Sequence, residues 1–504
     1  MLAHLPVLPI IVPLLAAPLC VLLRQRQLVL SLALAVCWAT FGMTLLLLFR
    51  VLNEGPQTYE MGGWLAPWGI EYRIDVLSAF VLVIVAGIGA TVLTYAPLSV
   101  EREIRRDQHY LFYTAYLLCL TGLLGIAITG DLFNLFVFLE ISSLSSYALI
   151  SLGAQQHRRA LTAAFQYLVM GTIGATFILI GIGLMYMMTG TLNMADMAQR
   201  LDQPIELDGQ TIRIHQTRTI LVAFAFLSVG ISVKMALFPL HLWLPNAYTY
   251  APSVVTGFLA ATATKVSVYM LLRFVFTVFG TRFSFQTLPF DVGLTALALV
   301  GIFVASTTAI FQTNLKRILA YSSVAQVGYI VLGISFASVN GLTGGIVHML
   351  NHALTKGGMF LAIGCLAWQL RSLELEDLSG IGRKMPLTMF AWVCGGLGLI
   401  GVPMTAGFIS KWYLISAALE RGWWPVAALL LLSSLLAVVY VWRVVEVAYF
   451  RSPSENCATA GEAPALLLIP TYVLLGASVV FGLWTSLSVG VAHQAAQQLL
   501  EVAP

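Results

Sequence analysis

Most of this chain consists of runs of about twenty apolar residues, the length a helix needs to cross a bilayer. "VLSAFVLVIVAGIGATVLTYAPL" (76–98) is representative. Backbone in lipid has no water to bond, so such runs must close their hydrogen bonds internally as helices. Composition agrees: 59% of the 504 residues are hydrophobic and 10% charged, where soluble chains carry about 25% charged. The fold class expected is an all-α polytopic membrane protein of fourteen spans. They lie near 3–23, 28–49, 75–98, 109–129, 132–152, 160–190, 217–248, 253–280, 290–312, 317–337, 341–370, 386–419, 423–450 and 464–491. The first run lacks a basic leader and a small-residue cleavage site, so it is expected to stay as a helix.

Fourteen spans place successive loops on alternate sides. Loops on one side hold thirteen Lys and Arg, those on the other seven. The richer side is the cytoplasmic one, so both termini are expected on the outer face of the cell's inner (plasma) membrane. The loops at 50–74 and 191–216 are too short for separate domains, so 1–504 is expected to be one membrane domain.

Several classes are excluded. The six cysteines are scattered without a C-x-x-C pair, which argues against a metal site, an iron–sulfur cluster or disulfides. No phosphate-binding glycine loop or nucleotide fingerprint occurs. Neither a cofactor nor a nucleic-acid partner is expected.

Charges inside the apolar runs are the informative exceptions, because each costs about 2.5–3.5 kcal/mol on insertion scales. Glu140 lies nine residues past Asp131 in "DLFNLFVFLEISSLSSYALISLG", about 13.5 Å along a helix and so near mid-depth. Ser142, Ser143, Ser145 and Ser146 follow and are expected to hydrate or bond its carboxylate. A structural ion pair is the plainer alternative.

Lys234 stands within "FLSVGISVKMALFPLHLWLPNA" (226–247), followed by Pro239 and Pro245. Pro239 has no N–H, so the Met235 carbonyl loses its helical partner. Broken backbone at depth must be satisfied by protein or water, which makes this a candidate water inlet. Burial weakens a lysine's hold on its proton and a nearby carboxylate restores it. A snorkelling lysine on an ordinary kink is the alternative.

Lys265 lies twelve residues into the next span, which starts at Ala251-Pro252-Ser253. Arg273, farther along, is expected only to snorkel outward. In "HMLNHALTKGGMFL", His348, His352 and Lys356 are spaced by four and drift only about 40° per step, so they share a helix face. Neutral imidazoles both donate and accept, which suits proton relay. Zinc is disfavoured, since no acidic or thiolate ligand joins them and Lys356 repels cations. Residues 395–415 repeat the earlier pattern: Pro403 breaks the helix and Lys411 follows. Spans seven and twelve thus each pair a break with a lysine, five spans apart, as inverted repeats would. Arg443 and Glu446, three apart, are expected to pair with each other.

"VKMALFPLHLWLPNAYTYAPSVVTGFLAATATKVSVYMLLR", "LKRILAYSSVAQVGYIVLG", "HMLNHALTKGGMFL" and "GVPMTAGFISKWYL" resemble the antiporter-like subunits of respiratory complex I and of multisubunit Mrp-type cation/proton antiporters. The resemblance runs from about residue 75 to 450. It implies inverted repeats in spans four to eight (109–280) and nine to thirteen (290–450), flanked by 1–98 and 464–504. Glu140 matches the family's fifth-helix glutamate, Lys234 the seventh-helix lysine and Lys265 the eighth-helix basic residue. His348 and His352 match the eleventh-helix histidines, and Lys411 the ionisable residue of helix twelve.

Lysine rather than glutamate at 411, Gln326 where many complex I subunits carry histidine, and an end at Pro504 without a lateral helix all make the chain look most like the D-type subunit of an Mrp antiporter. The resemblance therefore implies a transport subunit, not an enzyme, that moves protons in exchange for Na+ or K+ beside other membrane subunits. A proton-pumping subunit of an NADH-quinone oxidoreductase or a membrane-bound hydrogenase is the alternative.

Overall fold

The computed structural model describes residues 4–207, 210–454, 457 and 459–501. The outermost residues of the expected domain and of its flanking segments, 1–3 and 502–504, lie outside these. Helices α1 to α16 are Leu8–Leu23, Arg26–Glu54, Val76–Glu103, His109–Ile128, Leu132–Ser151, Arg159–Thr189, Met194–Leu201, Arg218–Met235, Trp243–Tyr250, Ser253–Leu272, Phe290–Phe311, Leu315–Ser335, Val339–Gln369, Pro386–Ile400, Ala406–Glu420 and Trp424–Phe450. Two more follow, α17 (Ala465–Leu483) and α18 (Thr485–Glu501).

The expected spans are largely helical, those at 217–248 and 386–419 each as two helices, and among the described residues eleven helices are individually long and apolar enough to cross a membrane. The last expected run, 464–491, is interrupted at Trp484, where α17 ends. The two polar loops are not purely irregular: each folds a short antiparallel hairpin, Gln57–Glu60 with Glu71–Ile74 and Pro204–Leu207 with Gln210–Arg213.

Large apolar side chains face outward on peripheral helices, among them Phe49 on α2, Phe165 on α6 and Leu435 on α16. Such surfaces suit lipid. Polarity is inverted toward the centre. Helix α13 is buried without interruption from Gly341 to Leu366, although it carries His348, Asn351, His352, Thr355 and Lys356. It packs against α3, α10, α12, α14, α15, α17 and α18. A helix with this many polar groups is kept away from lipid by being walled in by protein. Ser338 starts it, accepting from the Gly341 N–H at 3.2 Å, as an N-cap should.

Candidate functional site

The first broken helix ends sooner than its prolines imply. Helix α8 stops at Met235, and Ala236 takes a left-handed conformation (φ 59°), which is uncommon for a residue with a Cβ. Leu237 N–H donates to the Ser232 carbonyl at 3.0 Å, and Ala236 N–H to that of Val233 at 3.2 Å. The Trp243 indole also donates to the Val233 carbonyl, at 2.9 Å. The break is thus the segment 236–242, with Pro239 inside it. Pro245 is not part of it. It sits in the first turn of α9, where an N–H has no helical partner to lose. The Ser232 and Val233 carbonyls are thus taken by the protein itself.

Lys234 is buried and donates to Ser143 Oγ on α5 at 2.8 Å. Glu140 precedes Ser143 by one turn, and it is the acidic group whose field reaches the ammonium. The two do not form a direct ion pair, and Glu140 Oε1 is buried without a hydrogen-bond partner. The neighbouring serines do not serve the carboxylate as expected. Ser142, Ser145 and Ser146 donate to their own helix, to the carbonyls of Leu139, Ile141 and Ser142 at 2.9, 2.6 and 2.7 Å.

In the second broken helix, α14 ends at Gly401 with φ 86°, and a Cβ there would lie 2.9 Å from the Lys411 side chain. Pro403 lies in the gap, and Thr405 caps α15. Here the freed carbonyls turn toward the lysine. Lys411 Nζ donates to Leu399 O at 3.0 Å, Ile400 O at 2.9 Å and Ser434 Oγ at 2.9 Å. An ammonium has three N–H bonds, and all three are used. The Tyr329 ring lies 4.8 Å beneath the nitrogen, adding a cation–π contact.

The histidines adjoin this site. His348 faces Ser410 Oγ through Nδ1 at 2.8 Å and Gln326 Oε1 through Nε2 at 2.9 Å. Gln326 Oε1 can only accept, so Nε2 carries the hydrogen. Ser410 also reaches the Gly407 carbonyl at 3.0 Å. With neutral His348, Ser410 donates to Nδ1; with the protonated ring, Nδ1 donates and Ser410 turns its hydrogen to Gly407. Both charge states stay bonded. His352 stacks on His348 with centroids 6.5 Å apart, and both of its ring nitrogens are buried without partners.

Lys265, fully enclosed on α10, bonds the Ala260 carbonyl and, at 3.3 Å, Thr264 Oγ1. Its field reaches His348, His352 and Lys356. Lys356 donates to Ser322 Oγ at 2.8 Å and the Leu319 carbonyl at 3.1 Å. The structure therefore gathers Lys265, His348, His352, Lys356 and Lys411 around α13. Glu140 and Lys234 form a separate pair, with no hydrogen bond joining the two groups among the described residues.

Two arginines differ from expectation. Arg273 does not snorkel. It is buried, pairs with Asp75, and bonds Ser78 Oγ at 2.8 Å and the Tyr269 hydroxyl at 2.9 Å. Arg443 does not pair with Glu446; it donates to the carbonyls of Ile310 and Gln312, while Glu446 meets Arg451 at 3.2 Å. No set of three or more His, Cys, Asp or Glu side chains is placed to hold a metal among the described residues.

A lipid-facing bundle with two broken helices and a row of enclosed lysines and histidines defines a polytopic membrane protein with a polar, ionisable core. The chain belongs to the NADH:quinone oxidoreductase/Mrp antiporter membrane-subunit family, whose model matches residues 129–437. It is 44% identical over 502 residues to the N-type subunit of NADH-quinone oxidoreductase from Desulforudis audaxviator, covering 96% of each chain. It is 29% identical over 500 residues to the D-type subunit of the Na(+)/H(+) antiporter from Bacillus subtilis, covering 98% of this chain and 97% of that one. A chain in the structure of the Mrp complex from Dietzia sp. shares the fold, with TM-score 0.89, 24% identity and coverage of 99% and 97%.

Proposed function

We propose that the chain is the proton-translocating subunit of a multisubunit monovalent cation/proton antiporter in the plasma membrane, exchanging Na+ or K+ and not an enzyme by itself. Protons move along Lys265, His352, His348 and Lys411, with Lys356 beside the row and Glu140–Lys234 as the switch. The observation that carries this reading is His348, bonded on both nitrogens and able to gain a proton by rotation of the Ser410 hydroxyl next to Lys411. The chain is one membrane domain with two five-helix units of inverted orientation (109–280 and 290–450), each holding one broken helix with a lysine beside the break, Lys234 in the first and Lys411 in the second, and with both termini outward.

A lysine that alternately gains and loses a carboxylate alternately holds and releases its proton. Moving one charge through 100 mV is worth about 2.3 kcal/mol, comparable to a pKa swing at about 1.4 kcal/mol per unit. The test is proton uptake by vesicles holding the purified assembly. Glu140→Ala or Lys234→Ala should abolish uptake while the subunits still co-purify; normal uptake in an assembled variant overturns the assignment.

The 44% identity to the oxidoreductase N-type subunit favours a second reading, in which the same row serves a redox-driven assembly. Co-purification with flavin and iron–sulfur subunits, rather than with antiporter subunits, would establish it.

A further inference from the structure

At the ends of α3, α9 and α13 and the starts of α6 and α12 lies a cavity of about 900 Å³ that the proton row does not use. Six cations line it: Arg102, Arg158, Arg159, Lys316, Arg317 and Arg371. Elsewhere on the loops of the same side, three of the six arginines meet acids. Arg26 pairs with Glu101 at 2.9 Å, Arg105 with Asp107 at 3.0 Å and Arg451 with Glu446 at 3.2 Å. None of the six lining the cavity has a carboxylate partner among the described residues.

Their remaining bonds are to neutral groups or absent. Lys316 Nζ donates to the Ala251 carbonyl at 3.0 Å, Arg159 to the Tyr250 hydroxyl at 3.2 Å, and Arg102 lies over the Trp368 ring at 4.9 Å. Arg317 Nε is buried with no partner. Two acids are close, each bonded by neutral donors and outnumbered by the six cations. Glu374 shares the cavity lining and accepts from Asn314 at 3.0 Å. Glu103 accepts from Ser99 Oγ and from the Ser253 N–H, each at 2.7 Å.

Like charges around a concave wall repel one another and focus a positive potential into it. The potential is felt by His157 on the same wall: burial first, then the fields of Lys316 and Arg159, hold its imidazole below the usual value against the weaker opposing field of Glu103. Guanidinium forks match tetrahedral oxyanions and bind them by paired, charge-assisted hydrogen bonds. A volume near 900 Å³ is that of a ligand site, not of a single ion.

We propose that this cavity binds a phosphate-bearing anion, supplied by the headgroup of an acidic phospholipid or by a soluble phosphate. The proposal does not depend on the proton row.

The purified assembly can be tested with two probes: pyrophosphate by calorimetry at low salt, and thermal stability in nanodiscs of phosphatidylglycerol against phosphatidylcholine. Among the described residues the Arg158 and Arg371 side chains make no hydrogen bond that would be lost, so Arg158→Gln/Arg371→Gln is the first variant; Arg317→Gln is the second, and Arg451→Gln the control. The wild type should respond to at least one probe, and removing two arginines should weaken binding by roughly a hundredfold, about tenfold per charge contact. Raising salt should weaken it further. A response to phosphatidylglycerol alone identifies a lipid site, and a response to pyrophosphate alone a soluble one. No response to either probe, or an equal response in wild type and both variants, overturns the proposal.

Discussion

The two broken helices place the same residue type beside the same kind of interruption, yet they treat it in opposite ways. At α14–α15 the break lies before the lysine, and its free carbonyls wrap the ammonium of Lys411. At α8–α9 the break lies after the lysine, and the nearby carbonyls go to the turn and to Trp243. Lys234 therefore depends on α5, through one hydroxyl and one carboxylate at a distance. A lysine held by fixed dipoles is a resting place for charge; one held by a single hydroxyl beside a carboxylate is responsive.

The contrast breaks most visibly with Lys411→Met. Proton uptake should fall to background, and thermal stability should fall too, because two buried carbonyls lose their donor at about 1–3 kcal/mol each. A melting curve and a flux assay on one preparation check both. Lys234→Met should also stop uptake but shift the melting temperature far less, since only the Ser143 contact is lost. An equal loss of stability in the two variants would erase the distinction between the sites. Ser143→Ala should be milder, slowing uptake by about tenfold or more through loss of a charge-assisted bond worth about 1.5–3 kcal/mol. Smallest is Gln326→Leu, which removes the acceptor from His348 Nε2 and should slow uptake several-fold, about 0.5–1.5 kcal/mol for one bond.

The sequence alone revealed what is periodic or covalent: the apolar runs, the lysines inside them, Pro239 and Pro403 at the breaks, and the His348–His352–Lys356 face. It did not reveal partners that only folding brings near. Arg273 meets Asp75 across 198 positions. His348 takes its two partners from α12 and α15, although "SSVAQVGY" and "GFISKW" had already placed a polar residue in each. Local spacing also misled. Arg443 and Glu446 suit each other on a helix face, but carbonyls from the neighbouring turn claim the arginine. Of the serines after Glu140, Ser142, Ser145 and Ser146 bond their own helix, as hydroxyls three or four residues along can, and Ser143 serves Lys234.

Ser410 has one hydrogen and two acceptors for it. If protons pass along the row as proposed, each one taken up at His348 Nδ1 leaves that hydrogen facing Gly407, and it must swing back before the next arrival. The row would then be a turnstile, admitting protons singly with an obligatory reset between passages. Ser410→Ala would remove the reset along with the bond, leaving conduction slower and insensitive to how quickly the previous proton left.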